Sequence, residues 1–265
     1  MSFIFLNGEF IPDDQTSIPL SDQGFLTGHG IFETIKVTHS APQWFDQHFE
    51  RLTRSAHRLG LISPDRSTVE SAISRLLEKN QLIEARLRIT LTGGPAPFPQ
   101  RSDNPTLAIT TGPLPVYPNT ATVMTVPFTR NETGALSGIK SISYGENLLA
   151  LQYAQERGFD EAIFANTKGH LCEGATTNIF LVIGDRLLTP NLKSGCLPGT
   201  TRCRVLKQAE HLGIPCKETE IPLPLSEVNA AFLTSSLRGI QPIRKFDGRV
   251  ISTSHSVIAQ LREAL

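Results

Sequence analysis

The apolar positions change period several times along the 265 residues, and each change marks an element. Phe3 to Leu6 and Glu9 to Ile11 flank an Asn7-Gly8 pair, the pattern of a tight hairpin. A second strand pattern runs from Ile31 to Val37. After Pro42 the spacing becomes helical, with Phe45, Phe49, Leu52, Ala56 and Leu59 on one face. Ser63 and Pro64 read as the cap and first residue of another helix, buried along Val69, Ala72, Ile73, Leu76 and Leu77. Ala85 to Thr92 alternates strictly: Ala85, Leu87, Ile89 and Leu91 face one way, Arg86, Arg88, Thr90 and Thr92 the other. This predicts a half-exposed strand paired with Thr106 to Thr111.

Three prolines between Gly112 and Asn119 make a stiff, extended connection. The expected boundary lies there, separating an N-terminal domain, 1–111, from a C-terminal domain, 120–265, that carries Lys140. In the second domain the pattern predicts strands at Ala121 to Pro127, Asn178 to Val182, Leu187 to Leu188, Pro215 to Ile221 and Ala230 to Leu233. Glu161 to Ala165 forms a hairpin with the segment after Lys168-Gly169. Helices are expected from Tyr144 to Arg157, Thr201 to Leu212 and Ser254 to Ala264. Strands meeting in hairpins, with helices in separate blocks, give an α+β class rather than a doubly wound sheet.

Composition narrows the function. The 25 basic residues balance 25 acidic ones, and no block of like charge offers itself to nucleic acid or to an anionic membrane. No apolar run approaches the roughly 20 residues of a membrane span. The opening MSFIFLNGEF lacks the basic region of a signal peptide. The four cysteines form no C-x-x-C pair and have no histidine at zinc spacing, so they read as thiols of a cytoplasmic protein, with no metal expected.

Three segments carry chemistry. Lys140 lies in SGIKSISYGENLLA between small residues and a helix start; a lysine there is ordinarily a surface residue, but in a semi-dry pocket it becomes a nucleophilic amine. Glu173 ends a strand and is cramped by Gly174-Ala175, which fixes its orientation. Gly199-Thr200-Thr201 follows Pro198 at a helix start, where free N–H groups and the positive dipole end favour an anion, although plain N-caps are commoner than phosphate sites.

The spacing K-x-x-x-Y-x-x-N-x-x-A from Lys140, the E-G-x-x-x-N run from Glu173 to Asn178, and LPGTTR from Leu197 together resemble the branched-chain and D-amino-acid aminotransferase family, fold type IV. Within it they are most similar to the aminodeoxychorismate lyase branch. The resemblance implies a two-domain pyridoxal 5'-phosphate enzyme, a homodimer with a small-molecule substrate. Lys140 then holds the cofactor and Tyr144 lies near its ring hydroxyl. Glu173 serves the pyridine nitrogen, and Asn178 orders the Glu173 turn. Thr200, Thr201, Ser235, Ser236 and Arg51 receive the phosphate, while Arg54 and Arg58 read as a solvated face. On the substrate side, Glu33 and Thr34 are expected to face one pocket, with Arg238 meeting a carboxylate.

This chain also departs from the family. The loop Thr92 to Phe98 lacks the cation that holds an α-carboxylate in D-amino-acid aminotransferases. His29 stands where relatives show an aspartate, and it reads as a satisfied turn residue. The implied activity is conversion of 4-amino-4-deoxychorismate to 4-aminobenzoate and pyruvate. An aminotransferase and a non-catalytic cofactor-binding protein stay open as alternatives.

Overall fold

Asn7 and Gly8, at φ of 47° and 99°, turn β1 (Phe3–Leu6) into β2 (Glu9–Pro12). A computed structural model describes residues 2–97, 100 and 102–265 of the chain; Phe98, the last residue of the loop noted above, lies outside them. Contacts divide the chain into two units. One runs up to Val116 and takes back Ile139–Ser143; the other comprises Tyr117–Gly138 and Tyr144–Leu265.

The first unit continues through α1 (Gln23–Thr27), β3 (Gly30–Thr38), β4 (Ala41–Pro42), α2 (Phe45–Leu59), α3 (Arg66–Lys79), β5 (Ala85–Thr92) and β6 (Thr106–Gly112). Its sheet has the order β2-β1-β6-β5-β3-β4, with every pairing antiparallel. Ile31, Ile35, Leu87, Ile89 and Ile109 line one sheet face and are buried with Leu52 and Ala56 of α2 and Val69, Ile73 and Leu76 of α3. Helix α3 begins later than Ser63 suggested. Asp65 is its cap, and the carboxylate accepts from the Thr68 N–H at 2.8 Å, leaving Ser63-Pro64 in the preceding loop.

Residues Ile139–Ser143 join this unit through backbone bonds to β3. Phe32 N–H donates to the Lys140 carbonyl at 2.9 Å, and Ile142 N–H donates to the Gly30 carbonyl at 3.0 Å. The lysine is therefore anchored to β3, a long-range pairing that a boundary drawn from prolines does not reveal.

The second unit contains β7 (Ala121–Arg130), α4 (Gly145–Gln155), β8 (Glu161–Asn166), β9 (Leu171–Gly174), β10 (Asn178–Ile183), β11 (Arg186–Pro190), α5 (Thr200–His211), β12 (Cys216–Thr219), β13 (Ala230–Ser235), β14 (Gly239–Phe246), β15 (Arg249–Val250) and α6 (Ser256–Ala264). Its mixed sheet runs β12-β11-β10-β13-β14-β7-β8-β9, with β15 on β14. Strand β14 is central, yet no strand was expected there, because Gly239 and Pro242 are poor strand residues. Phe180 stacks on Phe232, with centroids 5.0 Å apart, in a core that α5 and α6 close with Val205 and Leu261. Among the described residues no helix is long and apolar enough to cross a membrane.

Candidate active site

Successive residues of a strand point to opposite faces, and this separates Glu33 from Thr34. Glu33 turns toward α2 and is fully enclosed, so the expectation that both line one pocket is corrected. Its carboxylate accepts from Arg51 Nε at 2.8 Å, Arg51 Nη2 at 2.6 Å and His48 Nδ1 at 2.7 Å. Burial alone would raise the Glu33 carboxyl. The Arg51 charge and the bonds from Arg51 and His48 outweigh it and hold the group at about 2. Burial also pushes the His48 imidazole below its usual value, so it serves Glu33 as a neutral donor.

A carboxyl held down in this way stabilises the fold fully above its ordinary value of 4.5, and that stabilisation drains away as pH falls toward about 2. The expected contribution is on the order of 3 kcal/mol. Urea midpoints followed from neutral to acid pH should drop more steeply for the natural chain than for Glu33→Gln. Parallel curves would show that the pair carries no such energy.

The opposite face of the sheet holds Lys140. Its Nζ lies 4.4 Å from the Phe32 ring centroid, and the Arg88 guanidinium lies 3.9 Å from the same centroid. Thr90 accepts from Arg88 Nε at 3.1 Å and braces it. The charged side chains that β3 and β5 place on this face, Lys36, Arg86 and Arg88, are all cations. Phe32 and Arg88 went unnoticed as candidates in the sequence, although the alternation of β5 already put Arg88 on the non-core face. His29 is satisfied, as expected of a turn residue: its Nε2 lies 3.0 Å from the Leu59 carbonyl.

In the second unit, Glu173 sits in β9 beside Phe164 of β8. One of its oxygens accepts from the Leu197 N–H at 2.8 Å, and the other lies 3.5 Å from Arg130 Nε. The turn after it is constrained on all sides. Ala175 N–H donates to the Ala162 carbonyl, and the Ala175 carbonyl accepts from both the Tyr144 hydroxyl at 2.8 Å and Asn147 at 2.7 Å. A Cβ on Gly174 would meet the Thr177 hydroxyl at 2.1 Å, so any larger residue after Glu173 would force Thr177 to move. Asn178 reaches beyond its own turn and donates to the Leu197 carbonyl at 2.8 Å. It thereby orders the chain entering α5, where a Cβ on Gly199 would lie 2.0 Å from its Oδ1.

The start of α5 suits a phosphate. Gly199 occupies the cap position and supplies no side chain to the first N–H groups. The Thr201 hydroxyl is buried with no protein partner, which is costly unless an acceptor arrives. The Thr200 hydroxyl lies 3.2 Å from that of Ser236, so Thr200, Thr201 and Ser236 gather at one helix end. Ser235 instead accepts from the Arg238 N–H at 3.3 Å and shapes the turn between β13 and β14. These features fit the phosphate of pyridoxal phosphate, and Glu173 fits its ring nitrogen.

Arg238 meets a carboxylate of its own chain. Its side chain is 7% exposed and forms an ion pair at 3.2 Å with Glu161, which is itself fully buried. Further bonds go to Gln241 and Thr176, and the guanidinium stacks on Tyr117. Burial pushes the Glu161 carboxyl up, against the pull of Arg238. In this structure the guanidinium is held by its own fold through Nη1 and Nη2, while its buried Nε makes no hydrogen bond.

Residues 30–246 match the family model for class IV amino-transferases. A Methanocaldococcus jannaschii protein, named provisionally as a branched-chain-amino-acid aminotransferase, is 32% identical over 94% of this chain and 89% of its own. The aminodeoxychorismate lyase of Bacillus subtilis is 27% identical over 92% of this chain and 86% of its own. A Legionella pneumophila crystal structure, named provisionally as a 4-amino-4-deoxychorismate lyase, is similar with a TM-score of 0.91. It is 29% identical, covering 96% of each chain.

Proposed function

Since this chain belongs to the class IV aminotransferase family and is a pyridoxal-phosphate enzyme of fold type IV, we propose that it is a lyase converting 4-amino-4-deoxychorismate to 4-aminobenzoate and pyruvate. The observation that carries this reading is Arg88 sharing the Phe32 ring with Lys140, where the charges that β3 and β5 place on that face are all cations. The substrate is a dianion, and a guanidinium close to the reactive amine suits one of its carboxylates. A branched aliphatic side chain would need apolar walls, but β3 and β5 offer mainly lysine, arginine and threonine around Phe32.

When bound, pyridoxal phosphate supplies an aldehyde for amines and a ring that withdraws electrons. Lys140 would hold it and, as a free amine, would take the proton from the amine-bearing ring carbon of the substrate. Lys140 then returns a proton to the enolpyruvyl methylene as the C–O bond to the ring breaks; pyruvate leaves and the ring becomes aromatic. Glu173 would pair with the pyridine nitrogen. Tyr144, its proton donated to the Ala175 carbonyl, would offer its oxygen to the ring hydroxyl. Thr200, Thr201 and Ser236, with Ser235 shaping their turn, receive the phosphate together with Arg51, which Glu33 and His48 orient. Asn178 sets the entry to α5, and Thr34 shares the Lys140 face as a substrate contact. By the same family resemblance the enzyme works as a homodimer, and its unpaired cysteine pattern suits the cytoplasm.

A second reading, an aminotransferase, is favoured by the 32% identity to the M. jannaschii protein. Incubation with 4-amino-4-deoxychorismate, beside a panel of amino donors with a 2-oxo acid, separates the two. Equimolar 4-aminobenzoate and pyruvate are expected. Amino transfer without 4-aminobenzoate would replace the lyase by the aminotransferase, and no turnover of either kind would leave a cofactor-binding protein.

A further inference from the structure

Arg130 was not among the residues singled out in the sequence, yet it is the side chain beside Glu173. It ends β7, next to β8, and β8 in turn pairs with β9, so Arg130, Phe164 and Glu173 stand on three neighbouring strands. Its guanidinium lies over the Phe164 ring, 4.3 Å from the centroid, which fixes its plane. Nη1 donates to Glu146, in the first turn of α4, at 3.1 Å. Nε lies 3.5 Å from Glu173 Oε1 as an ion pair and, although buried, makes no hydrogen bond. Both side chains are largely shielded from water, Arg130 at 14% exposure and Glu173 at 11%. The Leu197 N–H occupies the other Glu173 oxygen.

We propose that Arg130 is a positioning residue for the cofactor ring: acting through Glu173, it keeps the proton they share on the pyridine nitrogen. The inference rests on the reading of Glu173 as the partner of that nitrogen. A cation beside a carboxylate weakens its hold on a proton, and in a shielded pair the effect is little screened. With Arg130 present, Glu173 stays the anion and the ring stays the cation, the state in which the ring best accepts electrons from the substrate. The contact with Phe164 and the bond to Glu146 restrain the guanidinium, so its distance to Glu173 is set by the fold. A plain structural ion pair would stabilise the sheet and leave the ring nitrogen unaffected, which is where the two roles part.

The test uses holoenzyme reconstituted with cofactor labelled with 15N at the ring nitrogen, compared across the natural chain, Arg130→Met, Arg130→Lys and Glu173→Gln. The natural chain should show the shift of a protonated pyridine. Arg130→Met should move it toward the neutral value and lower kcat about tenfold at unchanged KM, the equivalent of one pKa unit. Arg130→Lys, which keeps the cation, should stay near the natural position. If Arg130→Met does not hold cofactor, Arg130→Gln removes the charge with a polar side chain and should give the same shift. An unmoved resonance in the neutral variants, while Glu173→Gln does move it, overturns the role of Arg130 alone. An unmoved resonance in Glu173→Gln overturns the reading of Glu173 as well.

Discussion

Lys140→Ala is expected to abolish release of 4-aminobenzoate, lowering kcat by about 10⁴-fold or more, because the same amine holds the cofactor and moves both protons. The fold should survive. Lys140 contributes a backbone carbonyl to Phe32 N–H, which alanine keeps, and its side chain rests on Phe32 without belonging to the core cluster. The checks are a continuous assay of 4-aminobenzoate and a thermal melt of the same preparation. A variant that retains even a tenth of the natural rate would remove Lys140 from the chemistry. A variant that melts far below the natural chain would leave the rate uninterpretable, and Lys140→Arg would then take its place in the assay.

The second large effect is on stability. Arg238→Met leaves Glu161 fully buried without its cation, and breaking a buried pair from one side costs about 3–5 kcal/mol. The Thr176 bond to Glu161, at 2.5 Å, ties the damage to the turn after Glu173. Glu161→Gln combined with Arg238→Met removes both charges and should recover most of the loss. Chemical denaturation of the single and double variants measures this directly. KM should change little in whatever protein stays folded, since Arg238 is spent on its own fold. A large rise in KM with an unaltered denaturation midpoint would restore Arg238 as a substrate-binding residue.

Local pattern carried the elements a long way. The Asn7-Gly8 hairpin, the buried stripe of α3 and the alternation of β5 are all short-range signals, and all appear in the fold. Strand β14 escaped because Pro242 and Gly239 argue locally against it, while its neighbours β13 and β7 are what hold it. Asp65 and Ser63 both qualify as caps, and only the backbone decides between them.

At the site, the residue types in the motifs were legible, but the partners were not. Glu33 is a charge among Ile31, Ile35 and Val37, and such a position demands a buried partner. His48 and Arg51, three apart on one helix, were the available candidates. The pairing of Arg238 with Glu161 was not legible, because an arginine in a turn reads alike whether it faces a ligand or a buried acid. Glu161, distant in sequence, decides the matter. Arg130 likewise acquires meaning only once β7, β8 and β9 lie side by side.

The most direct measurement reduces the holoenzyme with borohydride, which fixes the cofactor to whichever lysine holds it, and maps the modified peptide by mass spectrometry. The expected result is a single pyridoxyl group on Lys140, with loss of turnover in proportion to labelling. Label on another lysine, or cofactor that washes away after reduction, would contradict the account of this site.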